Sequence, residues 1–351
     1  MQPSLIHVPS HREVDDVLRC MHLGIGLSLD VPPTLPTPRS ILGSGVLSTW
    51  MREDLGVTLG GTPRASGTIP PAVTLTGTLT GVPDLYLKID GAGARGTATF
   101  RWSLDDGATF VATSVLTAAT VTLSGAASAV IVNFPVGAYL TDNIYNGAIA
   151  TWSDQLSGNT ISFVQGNVAK QPLHTYQGGP NSHGCIHFGP TDTWLQTAHD
   201  FSALTAGECF IVFRDTNEVA VNGNNCLWDF GSSGSASVIP FSDGNIYDDW
   251  GTDTRKSTGN PTPSIASYVA YNVISTSSEW TSLIDGTQHF TTATNTPGFL
   301  AGCIIGGDGG GVSFIEGDVV DFFMANRKMA TAERNGCKQY LRGRYPAITI
   351  A

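Results

Sequence analysis

Three acidic residues lie within the six-residue sequence EGDVVD, from Glu316 to Asp321. Side chains on a strand alternate between its two faces, so Glu316 and Asp318 share a face. Retaining glycoside hydrolysis needs two carboxyl groups about 5 Å apart, one to attack and one to protonate the leaving sugar. Asp321 joins the other two only through a β-bulge. We therefore favour an ordinary sheet strand here and predict no catalytic residues.

A second group of polar side chains occurs beside two aromatic residues in the sequence SDGNIYDDWGTD. Loop carboxylates and amides are ligands of calcium, and exposed aromatic rings beside them suit sugar stacking. The alternative is a solvated acidic loop whose aromatic rings are buried. The candidate glycan or calcium site comprises Asp243, Asn245, Tyr247, Asp248, Asp249, Trp250 and Asp253.

Two further patterns have simpler structural interpretations. His183, Cys185 and His187 share one face of a predicted strand, but they spread over about 13 Å and a metal needs convergent ligands. The sequence SLDDGATF, residues 103–110, matches the aspartate box that sialidases carry as a structural turn. An Asp-Gly turn between two strands explains it. We therefore predict no metal site and no cofactor, with calcium as the one alternative.

The amino-acid composition limits the kinds of secondary structure that can position these residues. Hydrophobic residues make up 41% of the 351-residue chain and charged residues only 13%, with 41 glycines and 19 prolines. Such a chain favours many turns, little helix and a sizeable core. The net charge is −11 and no Lys/Arg cluster occurs, which argues against nucleic acid and anionic membranes as partners. No apolar run reaches the ~20 residues of a membrane span, so no membrane insertion is expected.

The alternation of apolar and polar residues divides the chain into three parts. Residues 67–146 show short alternating runs separated by Gly and Asp-Gly, which predicts a small antiparallel β-sandwich. Residues 147–351 contain about eight such runs and predict one larger jelly-roll sandwich. Residues 1–66 have too few apolar residues for a core of their own. The predicted fold is all-β, with short N-terminal and C-terminal helices.

The first predicted helix runs from Ser10 to Gly24 and is followed by a proline-rich linker. An isolated amphipathic helix of this length is marginal in water, so its apolar stripe needs a partner. We expect residues 1–66 to dock onto another protein, with folding back onto a β-domain and self-association as alternatives. The docking stripe comprises Val14, Val17, Leu18 and Met21.

The second predicted helix covers residues 331–344, with Thr331 as the proposed cap. Glu333 lies in its first turn and Arg342 and Arg344 in its last, which suits the helix dipole. We predict that this helix packs on the outside of the large sandwich through Tyr340 and Leu341.

The C-terminal part resembles the concanavalin-A-like, laminin-G-like domains of phage particle proteins. The resemblance covers most of residues 147–346 and ends in a strand, an Asn-Arg turn and a helix. Residues 67–146 likewise resemble a short β-domain that recurs in phage structural proteins. The residues that carry the resemblance at the C-terminus are Gly317, Asp318, Asp321, Asn326, Arg327, Glu333, Arg334, Tyr340, Leu341, Arg344 and Tyr345.

The resemblance implies a non-enzymatic structural protein of a bacteriophage virion, such as a decoration, tail or fibre-associated subunit. Its expected partners are other virion proteins and further copies of itself, and its location is the virion. A glycan-binding adhesin that contacts host surface glycans is the alternative, and a glycan hydrolase is a third hypothesis. Because a virion protein is assembled in the reducing cytoplasm of the host, we expect all six cysteines to be reduced.

Overall fold

The computed structural model describes residues 35–43, 45–127, 129–156, 161–189, 193–217, 225–308 and 313–351. By its internal contacts the chain divides after Leu35, and the unit that begins at Pro36 contains every element described below. Within these residues antiparallel strands dominate and two α-helices occur. The prediction of an all-β fold is therefore confirmed.

The helices are α1 (Pro38–Leu42) and α2 (Thr331–Arg344). The strands, in chain order, are β1 (Leu47–Arg52), β2 (Val57–Leu59), β3 (Arg64–Ser66), β4 (Thr74–Gly77), β5 (Tyr86–Gly91), β6 (Gly93–Ala94), β7 (Thr99–Ser103), β8 (Ala112–Leu116), β9 (Val121–Thr122), β10 (Val130–Asn133), β11 (Ala138–Tyr139), β12 (Ile144–Asn146), β13 (Ile149–Ser153), β14 (Ser162–Val164), β15 (Leu173–Thr175), β16 (Cys185–Phe188), β17 (Leu195–Thr197), β18 (Gly207–Asp215), β19 (Trp228–Gly231), β20 (Ile246–Asp248), β21 (Lys256–Gly259), β22 (Val269–Thr276), β23 (Glu279–Ile284), β24 (Thr287–Thr292), β25 (Phe299–Ile305) and β26 (Gly317–Ala325).

Two sheets form the large sandwich. The first has the strand order β15–β16–β26–β18–β22–β23–β24, and β1 also pairs with β26 beside β16. The second has the order β19–β25–β17–β14–β13–β2. Apolar side chains from both sheets meet between them, because alternate residues of each strand point to that side. This core is rich in aromatic rings, including Trp152, Phe163, Trp228, Phe230, Tyr271, Trp280 and Phe322.

A smaller sandwich precedes the large one in the chain. A five-stranded sheet, β3–β12–β5–β7–β8, and a three-stranded sheet, β4–β10–β9, enclose a second core. Phe100 and Trp102 of β7 pack in this core with Val132 of β10. Alternation along the strands therefore produces the small antiparallel sandwich predicted from the sequence.

Helix α2 covers the outer face of the eight-stranded sheet. Tyr340 and Leu341 are buried in a cluster with Phe323 of β26, and the Tyr340 ring lies edge-on to Trp50 with centroids 6.1 Å apart. The predicted position of this helix is confirmed. The N-cap residue, however, is Ala330 and not the predicted Thr331, which is the first residue of the helix. The Glu333 carboxylate accepts a hydrogen bond from the Ala330 backbone N–H at 2.7 Å, and so satisfies the helix terminus.

The assignment of residues 1–66 to a separate docking segment is wrong for part of that range. Strand β1 pairs with β26, and β2 pairs with β13. The strongly apolar residues Leu47, Trp50 and Met51 are almost fully buried in these sheets. They complete the sandwich because burying them there removes apolar surface from water. The docking stripe Val14, Val17, Leu18 and Met21 lies outside the described residues and stays a prediction.

Candidate functional site

A surface cavity of about 630 Å³ opens beside the edge strand of the six-stranded sheet. Strands β19 and β25 contribute to its wall, together with the loop that follows β19 and the segments flanking β21 and β26. The residues that line it are Asp229, Gly231, Ser232, Gly234, Ser235, Ala236, Val238, Phe241, Arg255, Leu300, Asp308 and Ser313.

Asp229 reaches this cavity because of the alternation along β19. Its neighbours Trp228 and Phe230 are fully buried in the core, so the carboxylate between them faces the other way. Burial and the nearby carboxylate of Asp308 raise the pKa of Asp229 to about 6. Asp229 is therefore a carboxyl group that can both accept and donate a proton near neutral pH.

Behind the cavity, Asp248 and Asp249 are held in a fully buried network. The Ser237 hydroxyl lies 2.6 Å from Asp248 Oδ1 and 2.8 Å from Asp249 Oδ1. Trp228 Nε1 and the Tyr271 hydroxyl also donate to Asp248, at 3.0 and 2.8 Å. Burial raises the pKa of Asp249 well above its usual range. These carboxyl groups fix the loop after β19 from within, and they are not exposed to a ligand.

Gly231 allows this arrangement at the end of β19. A Cβ atom there would lie 1.8 Å from the Asp249 carbonyl oxygen, far inside van der Waals contact. The close approach brings the strand that carries Asp229 against the segment that carries the buried carboxyl groups. A side chain at position 231 would therefore push the two segments apart and change the cavity wall.

Aromatic and cationic side chains form the rim of the cavity. Phe241 packs edge-on against Tyr247, with ring centroids 5.6 Å apart, and the Arg255 guanidinium lies 5.4 Å from the Tyr247 ring centroid. Asp243 accepts a hydrogen bond from the Tyr247 hydroxyl at 2.8 Å, which orients the ring. Arg255 also donates to the Ala236 carbonyl at 3.3 Å. The rim is thus held by contacts within the protein.

The candidate glycan or calcium residues do not form one site. Asp248, Asp249 and Trp250 are buried in the core, whereas Asp253 is exposed. Asp243 accepts hydrogen bonds from the backbone N–H and side-chain amide of Asn245, so these two residues form a turn. The loop therefore contributes structure, through Tyr247, to the rim of the cavity. Among the described residues, no group of three or more His, Cys, Asp or Glu side chains could hold a metal ion.

Strand β26 contains a β-bulge of the kind that a catalytic role for Asp321 would require. Opposite β18 the register shifts at Val320, since Phe213 pairs with Val319 and Val212 pairs with Asp321. Val319 packs in the core between the sheets, whereas Val320 packs in the cluster under α2. The bulge accordingly places Asp321 on the helix-covered side of the sheet.

Protein donors occupy the carboxylates of this strand. Asp318 accepts hydrogen bonds from His187 Nδ1 at 2.7 Å and Arg214 Nε at 2.6 Å. Asp321 accepts from Tyr340 Oη at 2.7 Å and Trp50 Nε1 at 3.2 Å. Both side chains are buried, so the strand has a structural role and does not present them to a sugar.

The side chains of His183, Cys185 and His187 likewise do not converge on one point. His187 contacts Asp318, whereas His183 Nε2 lies 3.1 Å from the Arg344 carbonyl oxygen. Cys185 is fully buried between them under α2. In the aspartate box, the Asp105 carboxylate accepts hydrogen bonds from the Ser103 hydroxyl and the Thr109 backbone N–H, as expected of a structural turn.

The sequence interpretation missed Asp229, Asp308 and Arg255. Asp229 does carry a signal, since a carboxylate between Trp228 and Phe230 in an alternating run must face away from the core. Asp308 and Arg255 follow strands in turn-rich sequence, where nothing local indicates that they approach β19. Long-range strand pairing brings them together.

No protein family matches this sequence, and no curated protein is similar to it. Solved structures are similar at low identity. An α-l-arabinofuranosidase of family GH54 has 13% identity and a TM-score of 0.45, covering 88% of this chain and 65% of its own. A Trypanosoma rangeli sialidase has 12% identity and a TM-score of 0.37, covering 55% and 31%. The binding domain of botulinum neurotoxin DC, in complex with SialylT, has 10% identity and a TM-score of 0.40, covering 54% and 49%.

These comparisons correct one prediction. The sequence interpretation excluded enzymatic activity, whereas two of these three similar structures are glycoside hydrolases. The exclusion is therefore withdrawn. The chain spans less than two thirds of each of the three structures, and the identities and TM-scores assign no activity to it. No helix among the described residues is long and apolar enough to cross a membrane.

Proposed function

We propose that this chain binds glycans built from uncharged sugars, through the cavity beside β19, as a displayed protein of a bacteriophage particle. The observation that carries the glycan-binding proposal is the make-up of the cavity. It combines the carboxylates of Asp229 and Asp308 with the Phe241 ring and the Arg255 guanidinium. Sugar sites commonly combine a few convergent polar groups with an aromatic surface.

The chemistry of these groups suits sugar hydroxyls. Carboxylates accept hydrogen bonds from hydroxyl groups, and such charge-assisted bonds are stronger than neutral ones. Arg255 supplies donors for hydroxyl and ring oxygens. The apolar face of a pyranose can pack on the Phe241 ring at the rim. The cavity thus offers acceptors, donors and an apolar surface within one sugar-sized volume.

The charge of the cavity selects the class of glycan. Two carboxylates line it, with Arg255 as the one cationic side chain among the lining residues. The raised pKa of Asp229 indicates that the cavity already disfavours a negative charge. A sugar acid or a phosphorylated sugar would add further negative charge. Uncharged saccharides are therefore the preferred ligands.

The particle location rests on the resemblance of residues 147–346 to phage particle domains. In this proposal the β-sandwiches face outward and the partners are other virion proteins and further copies of the chain. Antibodies against the purified chain should label the surface of intact particles of the phage that encodes it. Labelling that appears only after the particles are disrupted, or not at all, would reject this part of the proposal.

Glycan binding is tested with an array of neutral and anionic saccharides, read in calcium and again in EDTA. We expect neutral saccharides to bind and the Asp229→Asn variant to lose at least about tenfold in affinity. Asp253→Asn is the matched control, because Asp253 is exposed and does not line the cavity. Equal binding by Asp229→Asn and the parent protein would exclude this cavity as the site.

Glycoside hydrolysis in the same cavity is a second candidate function. The specific observation in its favour is the pairing of Asp229, with a pKa of about 6, and the adjacent Asp308. Glycoside hydrolysis uses a carboxyl group that donates a proton, together with a second carboxyl group beside the same glycosidic bond. In this scheme protonated Asp229 would donate to the leaving glycosidic oxygen.

The two candidates are separated by reducing-sugar release from the saccharides that bind. Hydrolysis predicts release that falls at least about a hundredfold in both Asp229→Asn and Asp308→Asn. Binding without release would leave glycan binding as the function, and release that survives both substitutions would exclude Asp229 and Asp308 as the catalytic pair. Both variants must keep the circular dichroism spectrum of the parent protein.

A further inference from the structure

One row of side chains crosses the whole outward face of the six-stranded sheet. Strand register places one residue from each strand directly opposite its neighbours, so that all of them lie on one face. In spatial order the row comprises Thr58, Thr151, Val164, Gln196, Ile304 and Asp229.

The row faces away from the core. The residues adjacent to it along the strands include Trp152, Phe163 and Leu195, all fully buried between the two sheets. Alternation therefore directs the row to the opposite face of the sheet, where Ile304 is itself buried at 5% exposure. Val164 is 44% exposed, which makes it one of the few large apolar side chains left open on the described surface.

Two cavities lie along this row. Asp229, at one end, lines the cavity already described. Val164 and Gln196, near the middle, line a second cavity of about 410 Å³ together with Trp194 and Gly302. Both cavities touch β25, through Leu300 and Gly302, so they are neighbours on the sheet.

The second cavity also has features of a binding surface. Gln196 Nε2 donates to the Gly302 carbonyl at 3.0 Å, which fixes the side-chain amide. Trp194 contributes an aromatic ring to the lining, and its buried Nε1–H has no acceptor among the described residues. A buried donor without a partner is costly unless a ligand or water satisfies it.

We infer that the ligand is an extended oligosaccharide that lies across the strands, from the Asp229 cavity over Gln196 to Val164. This inference rests on the proposed function. Neighbouring strands are about 4.8 Å apart, so the four strands from β19 to β14 span about 14 Å. One strand spacing is close to the length of one sugar unit in an extended chain. This part of the row thus accommodates about three consecutive units, more than the Asp229 cavity alone.

The test is a length series measured by isothermal titration calorimetry. The probes are disaccharides and hexasaccharides of the cello-, xylo-, malto- and chito-oligosaccharide series. We expect at least one hexasaccharide to bind about tenfold tighter than its disaccharide, because it gains contacts in the second cavity. Gln196→Ala and Val164→Asp should reduce hexasaccharide affinity about fivefold and leave disaccharide affinity within about twofold. Gln288→Ala, on exposed β24 of the other sheet, is the matched control.

The possible results separate the two proposals. Equal affinity for disaccharide and hexasaccharide, or hexasaccharide binding that is insensitive to both substitutions, would overturn the extended site and leave the Asp229 cavity intact. Binding of none of the probes at millimolar concentration would overturn both. Because Gln196 and Val164 face outward, their variants should fold, and thermal unfolding checks this.

Discussion

The Arg344 guanidinium contacts the Glu53 carboxylate at 2.7 Å, and so joins the last turn of α2 to the residue after β1. Glu53 is fully buried, and its backbone N–H donates to the Val320 carbonyl at 3.0 Å. Tyr345 Oη lies 3.3 Å from Asp321 and 3.5 Å from Glu53. One polar network therefore fastens the start of the unit to its last strand and helix.

This network predicts a stability that depends on pH. Burial raises the pKa of Glu53 from 4.5 to about 8, although Arg344 opposes the shift. Between these values the folded protein binds more protons than the unfolded chain, so Glu53 lowers stability as the pH rises. Between pH 5 and pH 8, the free energy of unfolding should fall in both proteins. We expect the decrease in Glu53→Gln to be smaller than that in the parent protein by about 1–3 kcal/mol. Urea unfolding at both pH values measures this. An identical loss in both proteins would refute the assignment.

Truncation should show that residues 36–66 belong to the folded unit. A chain that begins at Pro36 keeps β1 and β2, whereas one that begins at Gly67 loses both strands. Removal of Leu47, Trp50 and Met51 exposes apolar surface on β26 and its neighbours. We expect the shorter chain to aggregate or to melt at a clearly lower temperature in differential scanning calorimetry. Similar melting temperatures for the two chains would contradict the described pairing.

Substitution of Asp318 should destabilise the fold without affecting the proposed site. Burial opposes its ionisation, but hydrogen bonds from His187 and Arg214 hold the pKa of Asp318 below its usual range. Asp318→Asn leaves the partly buried Arg214 without its charge partner, which costs about 3 kcal/mol. Guanidinium titration measures the loss, with Asp253→Asn as an exposed control. At a temperature where both variants are folded, their saccharide affinity should equal that of the parent protein. A loss of affinity in Asp318→Asn alone would indicate that β26 has a binding role.

The cysteines should react only after unfolding. Cys185, Cys209, Cys226, Cys303 and Cys337 are free and fully buried. We expect these thiols to resist an aromatic disulfide reagent in the native protein. In guanidinium, all six cysteines of the sequence should titrate as free thiols. A titre of two or fewer would show that disulfides form.

Local sequence patterns predicted the parts of the fold that depend on near neighbours. Helix α2 has its charges and apolar face encoded within fourteen residues, and it was placed correctly. Alternation predicted the strands in both sandwiches. Strand β1 was missed because its partner β26 lies about 270 residues away, and its sequence has no clear period on its own.

The site was harder to predict for the same reason. Asp248 and Asp249 look like surface ligands in the sequence, since two adjacent carboxylates are usually exposed. They are buried because Ser237, Trp228 and Tyr271 donate to them from distant segments. Asp229, in contrast, was open to prediction from its neighbours alone, but only the fold shows that Asp308 lies beside it.

The pairing of β26 also constrains how the protein is made. This strand is the last in the described chain, yet it lies inside the eight-stranded sheet, between β18 on one side and β16 with β1 on the other. A ribosome releases β1 and β18 long before it completes β26. Until then these strands expose unpaired edges and apolar faces, which favour aggregation. The large sandwich therefore closes only once translation has reached its final strand, and a chaperone that shields nascent chains would raise its yield.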